Sequence, residues 1–441
     1  MKLEEINTYE SAVSYCMAVP RFTKKNSTEA TGDFFKFLGK PGTKAKIVHI
    51  AGTNGKGSVS AFLQSICIQA GIQVGMFTSP HLCDIRERIR YNEEMISKKA
   101  FLEAFIEIKR SLFAYRDRFP EKKEYHPTFF ELLFFISMIC FEKTNPEIII
   151  LETGLGGRLD ATNIIENPQV CIITKIGYDH MEYLGDTLSK IAGEKAGIIK
   201  PQIPVVYWQE KDEVNAVIEE KAKSLSSPCI SVSKDLVDLH FFQDKRIDFS
   251  YKSRYYGYVR FSVSSSAVYQ TENAALAIAA AELLFKEDML PQIQAGIAAM
   301  HGEGRMEEVL PHVFFDGAHN EDGIDAFLNS VELDACRGRR SLLFSVVHDK
   351  QYRKMADRIV KSGLFDVIYT APLSSDRGVS GEELEALFKG ECKLKYYQTP
   401  EMALKDMLND RGADDYLYVA GSLYLIGQLK EWLGSSRVEN P

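Results

Sequence analysis

Paired cysteines, surplus positive charge and long apolar runs are all missing from this chain, and each absence removes a class of protein. The 8 cysteines are scattered singly with no C-x-x-C pair, which argues against a disulfide framework and a structural zinc site. They are expected to be small core residues. Net charge is −8, so no general polyanion or nucleic-acid surface is expected and any basic site must be local. No stretch reaches the roughly 18 uninterrupted apolar residues of a membrane span. The strongest contender, residues 129–141, is interrupted by Glu131 and Ser137 and reads as a buried helix. The opening MKLEEINTYES holds no apolar core of signal-peptide length, so a cytoplasmic protein without membrane contact is expected. With 441 residues, 45% hydrophobic and 26% charged, the chain is globular and long enough for two or three domains.

What is present is organised around residues 46–60, KIVHIAGTNGKGSVS. An apolar strand runs into a turn of Gly52, Gly55 and Gly57, and a helix-like SVSAFLQSICIQAG follows. Such a turn aims backbone N–H groups and a helix N-terminus at an anion, as in phosphate cradles. Lys56 would neutralise terminal phosphates, and the Ser58 hydroxyl could reach Mg²⁺. The strict P-loop pattern wants glycine where Ile50 stands, and Gly57 separates Lys56 from Ser58. An ordinary strand-to-helix turn that uses glycine for positive φ is the competing explanation.

Along the chain, the segment before residue 42 starts helical and turns polar over residues 20–33, with no chemistry of its own. After the glycine turn comes a second short strand, VGMFTS, ending at Ser79, Pro80 and His81. Alternating strands and helices predict a parallel sheet, whose carboxyl strand ends gather functional residues. The run DIRERIRYNEEMIS is highly charged; it reads as a solvated loop in preference to a set of arginines guarding an anionic substrate. A third strand ends in LETGLGGRLDATN and places Glu152 at the end of a doubly buried strand, where a cation is its natural partner. Mg²⁺ suits that position, since it takes few protein oxygens. A fourth ends near Asp179 and His180. Imidazole is an unusual Mg²⁺ ligand, but His180 would share a sheet edge with Ser79 and Glu152. Lys195, in TLSKIAGEKAGIIKP, reads from composition as a surface lysine pairing with Glu194.

Residues 231–268 read as short alternating strands, and a helix then carries Asn273 near its start. The pattern loosens over residues 289–311, where a domain boundary is expected, dividing the chain into 1–298 and 299–441. The second part repeats strand and helix from HVFFDGAHN to YLYVAGS, without a second P-loop. The fold class is therefore α/β: a P-loop ATPase domain with a mostly parallel sheet, then a doubly wound α/β domain. Asp316, His319 and Asn320, just past Arg305, would face a cleft between the two.

With AGTNGKGS, TSPHL, RERI, TFFE, LETGLGGRLDATN, DHMEYLG, IAGEKAGI, GRME, DGAHN, DK at Asp349 and GSLYL in that order, the chain resembles the folylpolyglutamate synthase and dihydrofolate synthase family of the Mur ligase superfamily. The resemblance implies an ATP-dependent ligase whose C-terminal domain binds the incoming amino acid. It implies that Asn54, Gly55, Lys56, Gly57 and Ser58 hold ATP phosphates, and that Ser79, Glu152 and His180 coordinate Mg²⁺. Asn273, Arg305 and Asp316 match nucleotide-contacting positions. Thr128, Phe129 and Glu131 match the pterin-side segment, and His319 and Ser422 lie in family-like substrate loops. The lysine matching Lys195 is carbamylated in the family, which turns a cation into an anionic helper for the metal and reverses the composition reading.

The implied chemistry is attack of a folate or pteroate carboxylate on the γ-phosphate of ATP, then attack of the L-glutamate α-amine on the acyl phosphate. ADP and phosphate leave and an amide remains. The expected partners are these small molecules alone, bound by a monomer. Many bifunctional bacterial members carry Gly-Leu-x-Arg before the P-loop, whereas this chain has Asn26-Ser27-Thr28-Glu29-Ala30-Thr31. Polyglutamylation is therefore expected first and dihydrofolate synthesis second. A UDP-sugar Mur ligase would need an extra N-terminal domain for which about 45 residues are too few. The rival from another class is a non-ligase nucleotide-binding switch.

Overall fold

The computed structural model describes residues 6–19, 26–243, 245–285, 288–375, 377–390 and 393–439. Part of the expected polar stretch, residues 20–25, lies outside them. The rest of that stretch is not irregular: Thr28–Phe37 is a helix, with Ser27 accepting from the Ala30 amide as its cap.

The first unit is built on strands β1 (Lys46–Ala51), β2 (Val74–Phe77), β3 (Ile89–Tyr91), β4 (Glu94–Met95), β5 (Ile148–Glu152), β6 (Val170–Ile173), β7 (Val205–Gln209) and β8 (Cys229–Ser233). Their spatial order is β4-β3-β2-β5-β1-β6-β7-β8. From β2 to β8 the neighbours run parallel, and β3 and β4 add an antiparallel edge. β1 is central and covered on both faces. Val48 and Ile50 pack with Phe62 and Ile66 of helix Lys56–Gln69, whereas Ile47 joins the core around helix Phe129–Thr144. That helix is apolar on all sides and buried from Glu131 to Phe141, as expected.

The charged run at 84–97 corrects the solvated-loop expectation. Ile85–Arg88 forms a 3₁₀ turn leading into β3 and β4, and Ile85, Arg88 and Ile89 are buried. Isoleucines at 85 and 89 face the core while the charges between them pair locally, so net charge density hid an edge strand. The cysteine expectation also needs correction. Cys16, Cys67, Cys140 and Cys171 are core residues, but Cys83 and Cys229 are exposed and Cys336 is half-buried.

β9 (Val237–Gln243), β10 (Arg246–Ser253) and β11 (Gly257–Val263) form the expected antiparallel meander, packed on helix Gln270–Leu284. Helix Leu290–Ala299 then lies against helix Lys56–Gln69, with the Ser65 hydroxyl donating to the Gly296 carbonyl at 2.7 Å.

The second unit holds β12 (Glu307–Leu310), β13 (Val313–Phe315), β14 (Arg340–Phe344), β15 (Val367–Thr370), β16 (Leu394–Tyr396) and β17 (Tyr416–Ala420) in the order β12-β13-β17-β14-β15-β16. All are parallel except β12, a half-buried antiparallel edge that the two glutamates of EEVL concealed. Helices Glu321–Glu332, Tyr352–Ser362 and Gly381–Phe388 cover one face. Helices Pro400–Asp410 and Leu423–Glu439 cover the other, which is the doubly wound arrangement. No helix among the described residues is long and apolar enough to cross a membrane.

Candidate functional site

The carboxyl ends of β1, β2, β5 and β6 open into a cleft of ≈ 650 Å³ whose far wall is the second unit. Every residue given a catalytic, nucleotide, substrate or metal role from the sequence lines this one cleft, whereas His81 and Asn320 stand behind its lining.

The glycine turn is its floor. Gly55 heads helix Lys56–Gln69 with φ 92°, and no side chain caps the helix. A Cβ there would stand 2.3 Å from Asn273 Oδ1, so the close approach and the left-handed backbone both require glycine. The leading amides of a helix have no intrahelical acceptor, and the helix dipole adds positive potential. Lys56 Nζ folds back to the Gly52 carbonyl at 3.0 Å. Lys195 Nζ donates to the same oxygen at 2.7 Å. Two amines therefore share one carbonyl. The Ser58 hydroxyl is buried with no hydrogen-bond partner. A positive helix end, two lysines and an orphaned hydroxyl together describe a site shaped for an anion and its counter-ion.

Lys195 corrects the surface-lysine reading. It is buried, and Glu194 pairs with Arg158 at 2.8 Å instead. Burial, with Lys56 adding to it, pulls the Lys195 amine down to about 7. A neutral, nucleophilic amine is then accessible near neutrality.

Glu152 ends β5 with its carboxylate buried. Oε1 is 3.9 Å from Lys56 Nζ, and Oε2 accepts the Ser79 amide at 3.3 Å. Burial raises its pKa, and the Lys56 charge works against that. His180 adopts a left-handed backbone, φ 50°, at the head of helix Met181–Leu184. Burial pushes its imidazole down to about 4, so the ring is neutral. Beside it, burial would raise Asp179, but the neighbouring His319 and Lys350 hold its carboxyl well below the usual range. Lys350 Nζ lies 2.6 Å from Asp179 Oδ1 and 3.5 Å from His180 Nε2.

The second unit closes the cleft through polar pairs. Asn54 and Asn320 exchange amide hydrogen bonds at 3.1 and 3.0 Å. Asp316 is buried and accepts from Tyr269 Oη at 2.6 Å and from the Met306 and Ala318 amides. Its pKa is raised by burial and drawn back by Tyr269 and Arg305. Arg305 donates to the Gly304 carbonyl at 2.8 Å. His319 Nε2 stands 3.7 Å from Asp179. The Ser422 hydroxyl accepts the Tyr424 amide. Asn273 donates to Gln270.

At the other end of the cleft, Thr128 caps helix Phe129–Thr144 and Glu131 returns the bond in a capping box. Glu131 also accepts from Asn26 Nδ2 at 2.8 Å and from the Thr31 hydroxyl. The divergent 26–31 segment is thus a wall of the cleft, fastened to Glu131, with the Phe129 ring under the Arg88 guanidinium.

Among the lining residues that were given no individual role from the sequence are Arg88, Tyr269 and Lys350. Lys350 was findable, since it follows β14 as His180 follows β6. Arg88 was masked by its charged surroundings. Nothing local marks Tyr269.

Comparison with known proteins agrees with this geometry. The Mur ligase middle domain family matches residues 50–281, and the Mur ligase glutamate ligase domain family matches residues 304–423. A Bacillus subtilis dihydrofolate synthase/folylpolyglutamate synthase is 32% identical over 96% of this chain and 99% of its own length. The Lacticaseibacillus casei folylpolyglutamate synthase is 28% identical over 96% and 98%. A structure of Escherichia coli FolC in complex with DHPP and ADP superposes with a TM-score of 0.85 at 27% identity, covering 98% of this chain and 99% of that one. Both halves of the chain match Mur ligase families, and the B. subtilis relative matches it over nearly its whole length; the chain belongs to the folylpolyglutamate synthase and dihydrofolate synthase family of Mur ligases.

Proposed function

We propose that the protein is an ATP-dependent ligase that joins L-glutamate to a reduced folate through an acyl phosphate. The observation that carries this is the uncapped helix end with Lys56, Lys195 and the partnerless Ser58 hydroxyl beside buried Glu152. The names borne by the relatives supply the substrate class.

In this reading the amides at Gly55, Gly57 and Ser58 take the phosphates, Lys56 swings from Gly52 to the terminal phosphate, and Asn54 and Asn273 border the nucleotide. Arg305 and Asp316 reach it from the second unit. The donors offered to Mg²⁺ are hard or neutral: the Ser79 hydroxyl, the Glu152 carboxylate and the uncharged His180, with Ser58 close by. Among the described residues no three His, Cys, Asp or Glu side chains form a metal cage, which suits an ion that completes its shell with phosphate and water. Bound there, Mg²⁺ supplies neutralisation of phosphate charge. The folate carboxylate attacks the γ-phosphorus and ADP departs; the glutamate amine then attacks the acyl carbon and phosphate leaves. Phosphoryl transfer of this kind is mostly positioning and charge stabilisation. Thr128, Phe129 and Glu131 border the acceptor, and His319 and Ser422 the amino acid. The division at 298/299 falls at the last residue of helix Leu290–Ala299, which packs on the first unit, and β12 opens the second sheet. A cytoplasmic monomer completes this reading.

Lys195 carries a carbamate in the active protein, formed when its neutral amine adds to carbon dioxide with loss of a proton. Its lowered pKa and position over Gly52 support this. Lys195→Ala is expected to lose most activity, and the wild type to be activated by bicarbonate. Full activity of the variant at low bicarbonate would refute it.

The deciding assay measures ADP release from ATP and Mg²⁺ with glutamate and either tetrahydrofolate or dihydropteroate. Release that requires both acceptor and glutamate is expected, with tetrahydrofolate the better acceptor. ATP turnover indifferent to both would favour the nucleotide switch, and no turnover with either acceptor would sink the folate assignment. Dihydropteroate is included because the B. subtilis relative bears both names.

A further inference from the structure

The two units touch at a joint that involves no catalytic side chain. Leu82 belongs to the first unit, three residues past Ser79, yet it packs against the apolar core of the second. Its Cδ1 lies beside Gly304, where an added Cβ would meet Leu82 at 3.9 Å and Ile426 at 3.6 Å. Its backbone is closer still to helix Leu423–Glu439. A Cβ on Gly427 would stand 2.3 Å from the Leu82 carbonyl oxygen and 3.0 Å from its carbonyl carbon. The Cys83 thiol lies 3.6 Å from the Gly427 carbonyl.

This loop is braced against displacement. The Glu87 carboxylate accepts the amides of Leu82, Cys83 and Asp84 at 2.6, 2.9 and 2.6 Å. Asp84 in turn accepts from the Arg86 amide and from Tyr9. Arg88 Nε donates to His81 at 2.8 Å. At its other end the Ser79 amide is tied to Glu152. The socket is equally well connected. Gly304 directly precedes Arg305 and its carbonyl accepts the Gly317 amide at 2.8 Å, and Gly427 lies about one helical turn beyond Ser422.

We propose that Leu82 is a peg and the surface of Gly304, Ile426 and Gly427 its socket, and that this joint sets the spacing across the cleft. Ser79 and Glu152 stand on one side and Arg305 and Ser422 on the other. Leu82 and Gly427 are thus positioning residues for ligation, a role that rests on the ligase reading above. The contact is backbone against backbone, so no rotamer change relieves an added methyl; loop or helix must yield by about 1 Å. Misplacement on that scale costs on the order of 10²-fold in rate when two reactants must be aligned.

The test compares full-length Gly427→Ala, Leu82→Ala and Leu82→Met with wild type. Three quantities are read: ADP release with acceptor and glutamate, ADP affinity alone, and amide hydrogen exchange over residues 79–84. Gly427→Ala should lower kcat on the order of 10²-fold and raise the glutamate KM. Its ADP affinity should fall far less than its rate, because the glycine turn is untouched and only the Arg305 and Asp316 contacts to the nucleotide cross the joint. Leu82→Ala should show the same split more weakly, and Leu82→Met should restore the rate. Both damaging variants should speed exchange at Leu82 and Cys83. A merely structural contact would lower the melting temperature and leave kcat and KM of the folded enzyme alone; that result overturns the proposal, as does unchanged exchange. If Gly427→Ala does not fold, the Leu82 pair decides by the same readings. Absence of folate-dependent turnover in the wild type would refute the ligase reading, whereas exchange over 79–84 still reports whether the joint exists.

Discussion

Two strand–turn–helix junctions face each other across the cleft, and they are finished in opposite ways. In the first unit, β1 leads through Gly52–Ser58 into a helix with no side-chain cap, a buried hydroxyl without a partner, and two amines on one carbonyl. In the second, β13 leads through Asp316–Asn320 into helix Glu321–Glu332, and the polar groups are matched. Asp316 holds Tyr269, Met306 and Ala318, and Asn320 caps the helix through the Gly323 amide at 2.8 Å. The same local architecture serves as a receptor when its donors are left open and as a brace when they are closed. Unsatisfied groups cost stability, so they persist where a ligand satisfies them.

Substitutions that act on only one of the two junctions test this contrast. The largest effect is expected from Lys56→Ala, which removes the mobile cation of the open turn: ADP release should fall about 10²–10³-fold, with the melting temperature close to wild type. Retention of half the wild-type rate would show that the turn is not the phosphate site. Asp316→Ala strikes the closed turn and leaves buried donors unpaired; a loss of about 3 kcal/mol in urea unfolding is expected. A stability change below about 0.5 kcal/mol would remove the distinction between brace and receptor.

Acid should separate the units. His49 is buried in β1, donating to or accepting from Thr162 Oγ1 at 2.8 Å, and burial lowers its imidazole to about 3 from an ordinary 6.5. The unfolded chain therefore binds the extra proton between these values. Stability of the first unit is intact above pH 6.5 and falls as pH drops toward 3, with a slope of up to about 1.4 kcal/mol per unit. The strand facing it, β13, buries Val313, Phe314 and Phe315 and has no such group. Trp208 lies in the first unit and Trp432 in the second, so single-tryptophan variants report each unit separately. The Trp208 transition should move first on acidification, and His49→Gln should narrow the difference, leaving the smaller share that the buried His180 supplies. The smallest effect is Ser58→Ala. Its hydroxyl has no partner, so unliganded stability should hold or rise by up to about 1 kcal/mol while activity falls. A clear loss of stability without ligand would mean that the hydroxyl is already satisfied.

These differences bear on what could be read from residue order. The glycine turn, Ser79, Glu152 and His180 were all legible, because apolar strands that stop at polar residues announce the carboxyl edge of a parallel sheet. Glu152 stood out as a carboxylate ending a run of isoleucines. Lys195 did not, since its helix contains small residues on every side and nothing local tells which face packs inward. Its burial follows from the Gly52 carbonyl, far away in sequence. β3 and β12 were hidden for a related reason. Edge strands carry charge on their open side, so Arg86 to Arg90 and Glu307 to Glu308 look like loop until a neighbouring strand supplies the ladder.

Local sequence, then, determined the elements, their order and the receptor turn, because these depend on periodicity, glycine placement and the polarity of strand ends. Tertiary structure alone decided which donors stay open. It gave Asp316 and Glu131 donors from other segments, set Lys350 against Asp179, buried Lys195 beside Lys56, and seated Leu82 on Gly427. Each of these pairs joins residues remote in the chain, and whether a polar group is satisfied is a property of the partner that folding brings to it.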